Sequence, residues 1–211
     1  MTALIVVDIQ NDFLPGGALA VADGDMVIPV ANRLIESGRF NFVVATQDWH
    51  PPDHGSFAAS HPGKKFYERI DLFGLEQTLW PVHCVQNTRG AELAPSLSRA
   101  RIDHVVQKGT DKDIDSYSGF FDNGRRKATG LADYLRSKNA TDLFVCGLAT
   151  DYCVKFTALD AVQLGFRTTL IEDACRGVNL KPTDSQEATD AMRRAGANVV
   201  RSADVLTSKR A

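Results

Sequence analysis

Two hydrophobic periods divide this chain. Residues 3–7 and 40–46 are short apolar runs rich in β-branched and aromatic side chains, as expected of strands buried on both faces. Between them, residues 26–37 carry Val27, Val30, Leu34 and Ile35 at helical spacing and stop at Gly38. From 47 to 82 the period dissolves into Pro, Gly, His and Asp with scattered aromatics. A loop region that long in a compact domain is uncommon and usually functional. A short apolar piece at 82–85 and a weak helix at 91–99 follow. A strand at 103–107 then ends at Lys108-Gly109, before a second polar loop at 110–126. Beyond it the beat is regular. Helices at 129–138, 151–165 and 185–195 alternate with strands at 142–146, 167–171 and 197–201.

This alternation predicts an α/β fold: one domain over residues 1–211, a doubly wound three-layer α/β/α sandwich with a mostly parallel sheet. Ligand sites in such sheets lie at the carboxyl ends of the strands. Asp8, Asp48, Lys108 and the turn carrying Cys153 each fall at such an end.

Composition narrows the function classes. A formal net charge of −2 leaves no basic surface of the size nucleic acid requires, and the apolar start is too short to span a bilayer. The first residues lack the basic segment and cleavage site of a signal peptide. The four cysteines (84, 146, 153, 175) have no CxxC spacing and fit a reduced compartment, so a cytoplasmic location is expected. Partners are expected to be limited to a small-molecule substrate, without nucleic acid or membrane, for a chain acting as monomer or homodimer.

The run from Leu143 to Val154 passes from strand through a small-residue turn into a helix, with Thr150 as the expected N-cap. Cys153 then lies in the first turn, where free N–H groups and the helix dipole favour a thiolate and can hold an oxyanion. No His lies in the Lys108 or Cys153 segments. A carboxylate beside an ammonium can replace the usual Cys–His pair, with Asp8 moving the proton and Lys108 stabilising anions. Cys84, Cys146 and Cys175 are assigned to packing. Asp48 and His50 stand two apart at a strand end, and His83 comes from a separate loop. One carboxylate and two imidazoles suit Zn²⁺, Fe²⁺ or Mn²⁺, with His54, or a water through Ser56, completing the shell. Phe13, Trp49, Phe57, Trp80 and Tyr117 are candidates to wall a flat ligand, or to pack in the core.

Six segments carry a resemblance: Val6-Val7-Asp8-Ile9-Gln10-Asn11-Asp12-Phe13, Thr46-Gln47-Asp48-Trp49-His50-Pro51, Trp80-Pro81-Val82-His83-Cys84, Lys108-Gly109, Tyr117-Ser118-Gly119-Phe120, and Gly147-Leu148-Ala149-Thr150-Asp151-Tyr152-Cys153-Val154. Their order resembles the bacterial nicotinamidases of the isochorismatase-like cysteine hydrolase superfamily. The resemblance implies deamidation of nicotinamide to nicotinate through a Cys153 thioester, as used in NAD salvage, with pyrazinamide-like analogues as further substrates. It makes Asp8 the proton carrier and Lys108 the ammonium beside it. Asp48, His50 and His83 fall on metal-ligand positions for one divalent ion, with His54 where some members add another His; no organic cofactor is implied. It further implies a cis peptide before Ala149, an oxyanion hole from the N–H groups of Ala149 and Cys153, and Phe13, Trp80 and Tyr117 around the pyridine ring.

Other readings are a sibling hydrolase of another amide, a carbamoyl compound or isochorismate; a flavodoxin-like binding module; and a thiol redox protein. The isochorismate branch needs neither the cysteine nor the metal. The binding module needs a glycine-rich phosphate loop where Asp8-Ile9-Gln10-Asn11-Asp12 stands, and the redox protein needs CxxC.

Overall fold

The computed structural model describes residues 1–207. Its strands are β1 (Thr2–Val7), β2 (Phe42–Asp48), β3 (Arg69–Leu72), β4 (Leu75–Thr78), β5 (His104–Lys108), β6 (Asp142–Leu148), β7 (Arg167–Arg176) and β8 (Asn198–Val200). The α-helices are α1 (Val27–Glu36), α2 (Leu131–Ser137), α3 (Lys155–Gln163), α4 (Asp184–Arg194) and α5 (Ser202–Thr207). Six strands form one sheet in the order β5-β2-β1-β6-β7-β8, and all its pairings are parallel. The order turns back between β1 and β6, which opens a crevice beyond their carboxyl ends.

Ala3 to Val7 are each 0% exposed, because β1 has a strand on either side and helices flank the sheet. That burial is why the run does not alternate, and each Val, Leu or Ile in it stabilises the fold by about 1.5–3 kcal/mol. At β6, Gly147 has φ +119°, and a Cβ there would overlap the Val7 carbonyl. Only glycine lets β1 and β6 approach this closely beside the crevice.

The 47–82 stretch is not structureless: it contains the β3–β4 hairpin. Its turn residues Phe73 and Gly74 both have positive φ, as a two-residue hairpin turn requires. Phe-Gly is not the usual Asn-Gly signal, and the strands are too polar to show alternation. Residues 91–99 do not form the expected helix. A 3-10 turn at Arg89–Ala91 gives way to extended chain, and Pro95 both lacks an N–H and bars its predecessor from helical geometry. The helix expected at 151–165 starts as a π-helical turn, Thr150–Val154, before α3; Ala149 occupies the cap position, and no side chain, Thr150 included, caps it. β7 runs on to Arg176, and α5 follows β8 in a segment too short to show a period. Among the described residues no helix is long and apolar enough to cross a membrane.

Candidate active site

Four strand ends deliver the site. Asp8 follows β1 in the left-handed region, φ +46°, a conformation Asp adopts more readily than most residues. Asp48 and Lys108 end β2 and β5 as register partners. Beyond β6 the Leu148–Ala149 peptide is cis, and the π-helical turn presents Cys153.

These side chains meet. Lys108 Nζ donates to Asp48 Oδ1, to the Ser116 carbonyl (3.0 Å) and to Cys153 Sγ (3.3 Å), and forms an ion pair with Asp8 Oδ2 at 2.8 Å. Thr46 Oγ1 donates to Asp8 Oδ1 at 2.6 Å. Asp8 and Lys108 are buried at 0% and 1% exposure. Three hydrogen bonds, one of them to the sulfur, account for the three protons of the ammonium, and Asp8 Oδ2 sees its charge without a hydrogen bond. Two carboxylates outweigh one ammonium. Burial, with Asp8 and Asp48 adding, pushes the Cys153 thiol well above its usual range, and Lys108 only partly opposes this. Burial and the carboxylates both act against the thiolate expected from its place at a helix start. Burial raises Asp8 as well, with Lys108 opposing and Asp48 adding. A carboxylate and a thiol raised together are matched for proton exchange.

On the far side of Asp48 lie the histidines. His50 Nδ1 donates to the Gly109 carbonyl (2.9 Å) and His83 Nδ1 to the Pro81 carbonyl (2.8 Å). A carbonyl only accepts, so these bonds fix the protons on Nδ1 and leave lone pairs on both Nε2 atoms. Those atoms lie 3.7 and 4.0 Å from Asp48 Oδ2. Three groups able to donate electron pairs converge there, an arrangement that fits a divalent cation. Burial lowers the His83 pKa to about 4, keeping its imidazole neutral. Burial also opposes a proton on His50, but Asp48 more than offsets this and raises it. Gly109 has φ +63°, and a Cβ there would overlap the His50 ring.

His54 is set differently. Its Nδ1 lies 2.7 Å from Ser56 Oγ and 3.2 Å from the Ser56 N–H, and its Nε2 is a buried atom without a hydrogen-bond partner. Phe57, fully buried, packs within 5.6 Å of the His50, His54 and His83 rings and backs them rather than walling a ligand.

Phe13 stacks at a tilt on His83, ring centroids 5.5 Å apart. Trp80 is buried, meets Tyr152 edge-on at 4.8 Å, and its Nε1 donates to Tyr117 Oη at 3.2 Å. Trp49 is half-buried against the core. Four further side chains serve the site. Gln10 accepts from the Asp48 N–H and donates to the Asp48 carbonyl, both at 2.8 Å. Asp12 Oδ2 accepts the Cys84 N–H at 2.7 Å and so ties the His83 loop to the β1 loop. Gln77 and Asp115 are buried in the hairpin and in the second polar loop. Only the polarity of Gln10 and Asp12 directly after a buried strand signalled any of them.

The isochorismatase domain family matches residues 2–204. The chain is 54% identical over 204 residues to a nicotinamidase of Escherichia coli strain K12, covering 96% of this chain and 95% of that one. Among solved structures, a nicotinamidase and pyrazinamidase of Acinetobacter baumannii superposes with a TM-score of 0.93 at 47% identity, covering 97% of each chain. A pyrazinamidase of Pyrococcus horikoshii in complex with zinc gives 0.76 at 41% identity, covering 95% of this chain and 98% of that one.

Proposed function

This chain belongs to the isochorismatase family, and we propose that it is an amidohydrolase that converts nicotinamide to nicotinate and ammonia. The observation that carries the reading is the meeting of Lys108 Nζ with Asp8, Asp48 and the Cys153 sulfur, beside three lone-pair donors facing one another.

Asp8 takes the thiol proton as Cys153 attacks the carboxamide carbon, since burial disfavours the free thiolate and raises Asp8, the carboxylate beside it. The N–H groups of Ala149 and Cys153 hold the oxyanion at the start of the helical turn. Asp8 returns its proton to departing ammonia and then draws one from the water that hydrolyses the thioester. Lys108 stays charged throughout: burial opposes its proton, but Asp48 and Asp8 hold it on.

Asp48, His50 and His83 would hold one divalent cation, which supplies a Lewis-acidic point for a ring nitrogen. Nitrogen and oxygen donors favour Zn²⁺, Fe²⁺ or Mn²⁺, and zinc is bound in the similar pyrazinamidase. His54, its ring packed 4.3 Å from that of His50, would serve that cation from outside. Phe13, Trp80 and Tyr117 hold the aromatic ring. All four cysteines are free, in keeping with a reducing, cytoplasmic setting.

Ammonia release by purified protein on nicotinamide, pyrazinamide and aliphatic amides tests the reading. Rapid release from the two aromatic amides supports it. Preference for an aliphatic or carbamoyl compound would favour a sibling hydrolase of the same family.

A further inference from the structure

Gln77 is the one buried residue of β4, at 2% exposure. The inward position of a hairpin ordinarily takes an apolar side chain, and a buried amide must find partners to offset its desolvation. Its Nε2 lies 2.8 Å from the Thr78 carbonyl, 3.1 Å from Asp115 Oδ2 and 3.0 Å from Tyr117 Oη. Trp80 Nε1 donates to the same Oη. Asp115 is itself buried and accepts the Ser116 N–H at 2.7 Å, next to the carbonyl that receives Lys108 Nζ. Asp115 also offers an oxygen within 4.8 Å of nitrogens on His50 and His54. One amide thus joins the hairpin, the second polar loop and the aromatic wall.

We propose that Gln77 is a positioning residue for substrate: it fixes the Tyr117 hydroxyl, and through it the Trp80 indole, so that the two rings hold the flat ring of an aromatic amide in front of Cys153. This rests on the amidase reading. The competing role is a plain anchor for the hairpin, which would affect stability and leave ground-state binding alone.

The test uses Gln77→Leu, Gln77→Met and Tyr117→Phe in the full chain, with kcat and KM for nicotinamide and the unfolding midpoint measured for each. Nicotinate affinity is titrated separately in a Cys153→Ala background, so binding is read without turnover. Loss of the amide is expected to raise KM and the nicotinate Kd roughly tenfold with kcat within about twofold, the pattern of lost uniform binding. Combined with Tyr117→Phe it is expected to add little, because both act through one hydroxyl. An unchanged KM and Kd, full additivity with Tyr117→Phe, or collapse of both Gln77 variants would overturn the proposal and leave Gln77 an anchor. A wild-type chain that releases no ammonia from nicotinamide would instead remove the amidase reading itself.

Discussion

The two ends of the sheet handle the same pairing in opposite ways. At the amino ends, Asp142 and Arg167 begin β6 and β7 as register partners and form a two-pronged ion pair at 2.6 and 2.7 Å. The arginine there is 73% exposed. At the carboxyl ends, Asp48 and Lys108 end β2 and β5, also as register partners, but both are buried. Water competes for each ion at the first end, so the contact contributes little. At the second end, burial makes an unpaired charge costly, and Lys108 survives between two carboxylates, donating to Asp48, the Ser116 carbonyl and the Cys153 sulfur. The buried end is thus arranged for chemistry, since a well-packed apolar pair would serve stability as well or better.

The strongest challenge to that contrast is Cys153→Ala. Ammonia release should fall by on the order of 10⁴ or more, while circular dichroism and bound metal stay at wild-type levels. Turnover near wild type would take residue 153 out of the chemistry. Lys108→Met should come next, because it strands two buried carboxylates. Urea unfolding is expected to show a loss of about 3–5 kcal/mol, and a loss below about 1 kcal/mol would put that end of the sheet on a par with the exposed one.

A third comparison sharpens the histidine roles. In chelator competition, His83→Ala should weaken Zn²⁺ binding more than His54→Phe, whose effect should stay near the 10–100-fold of an outer-sphere partner. Equal losses would make His54 a direct ligand. The smallest effect belongs to the exposed end. Hydrogen bonds from Arg167 lower the Asp142 pKa below its usual value. The contribution is therefore present above the unfolded carboxylate range and is lost as pH falls through the folded value. Arg167→Gln should lower the melting temperature slightly at neutral pH and not at all in acid. A loss that persists in acid would point to packing of the arginine stem.

Much of this contrast was legible in the residues. Buried parallel strands announce themselves as unbroken apolar runs, and the chemistry-bearing residues Asp8, Asp48, Lys108 and Cys153 stood at their ends. The hairpin was not legible, because β3 and β4 carry exposed polar residues and turn through Phe73-Gly74. The protonation of Cys153 was hidden for a different reason. Its place at a helix start argues for a thiolate, while the burial that opposes this, and the carboxylates Asp8 and Asp48 that add to it, come from segments far away in sequence. Gln77 and Asp115 were invisible because a buried amide and a buried carboxylate look like ordinary loop polarity until their partners are known.

Gln10 has a consequence for how this site tolerates change. Its side chain clasps both backbone groups of Asp48, while Asp8, two residues earlier, touches Lys108. The tripeptide from 8 to 10 is thus a ruler laid across two strands, setting how far the Asp8 carboxyl group stands from that of Asp48, with Lys108 between them. Substitutions on its outer side leave that gauge intact. A single inserted residue between Asp8 and Gln10 would shift one mark against the other, and no repacking elsewhere in the sheet would restore the spacing.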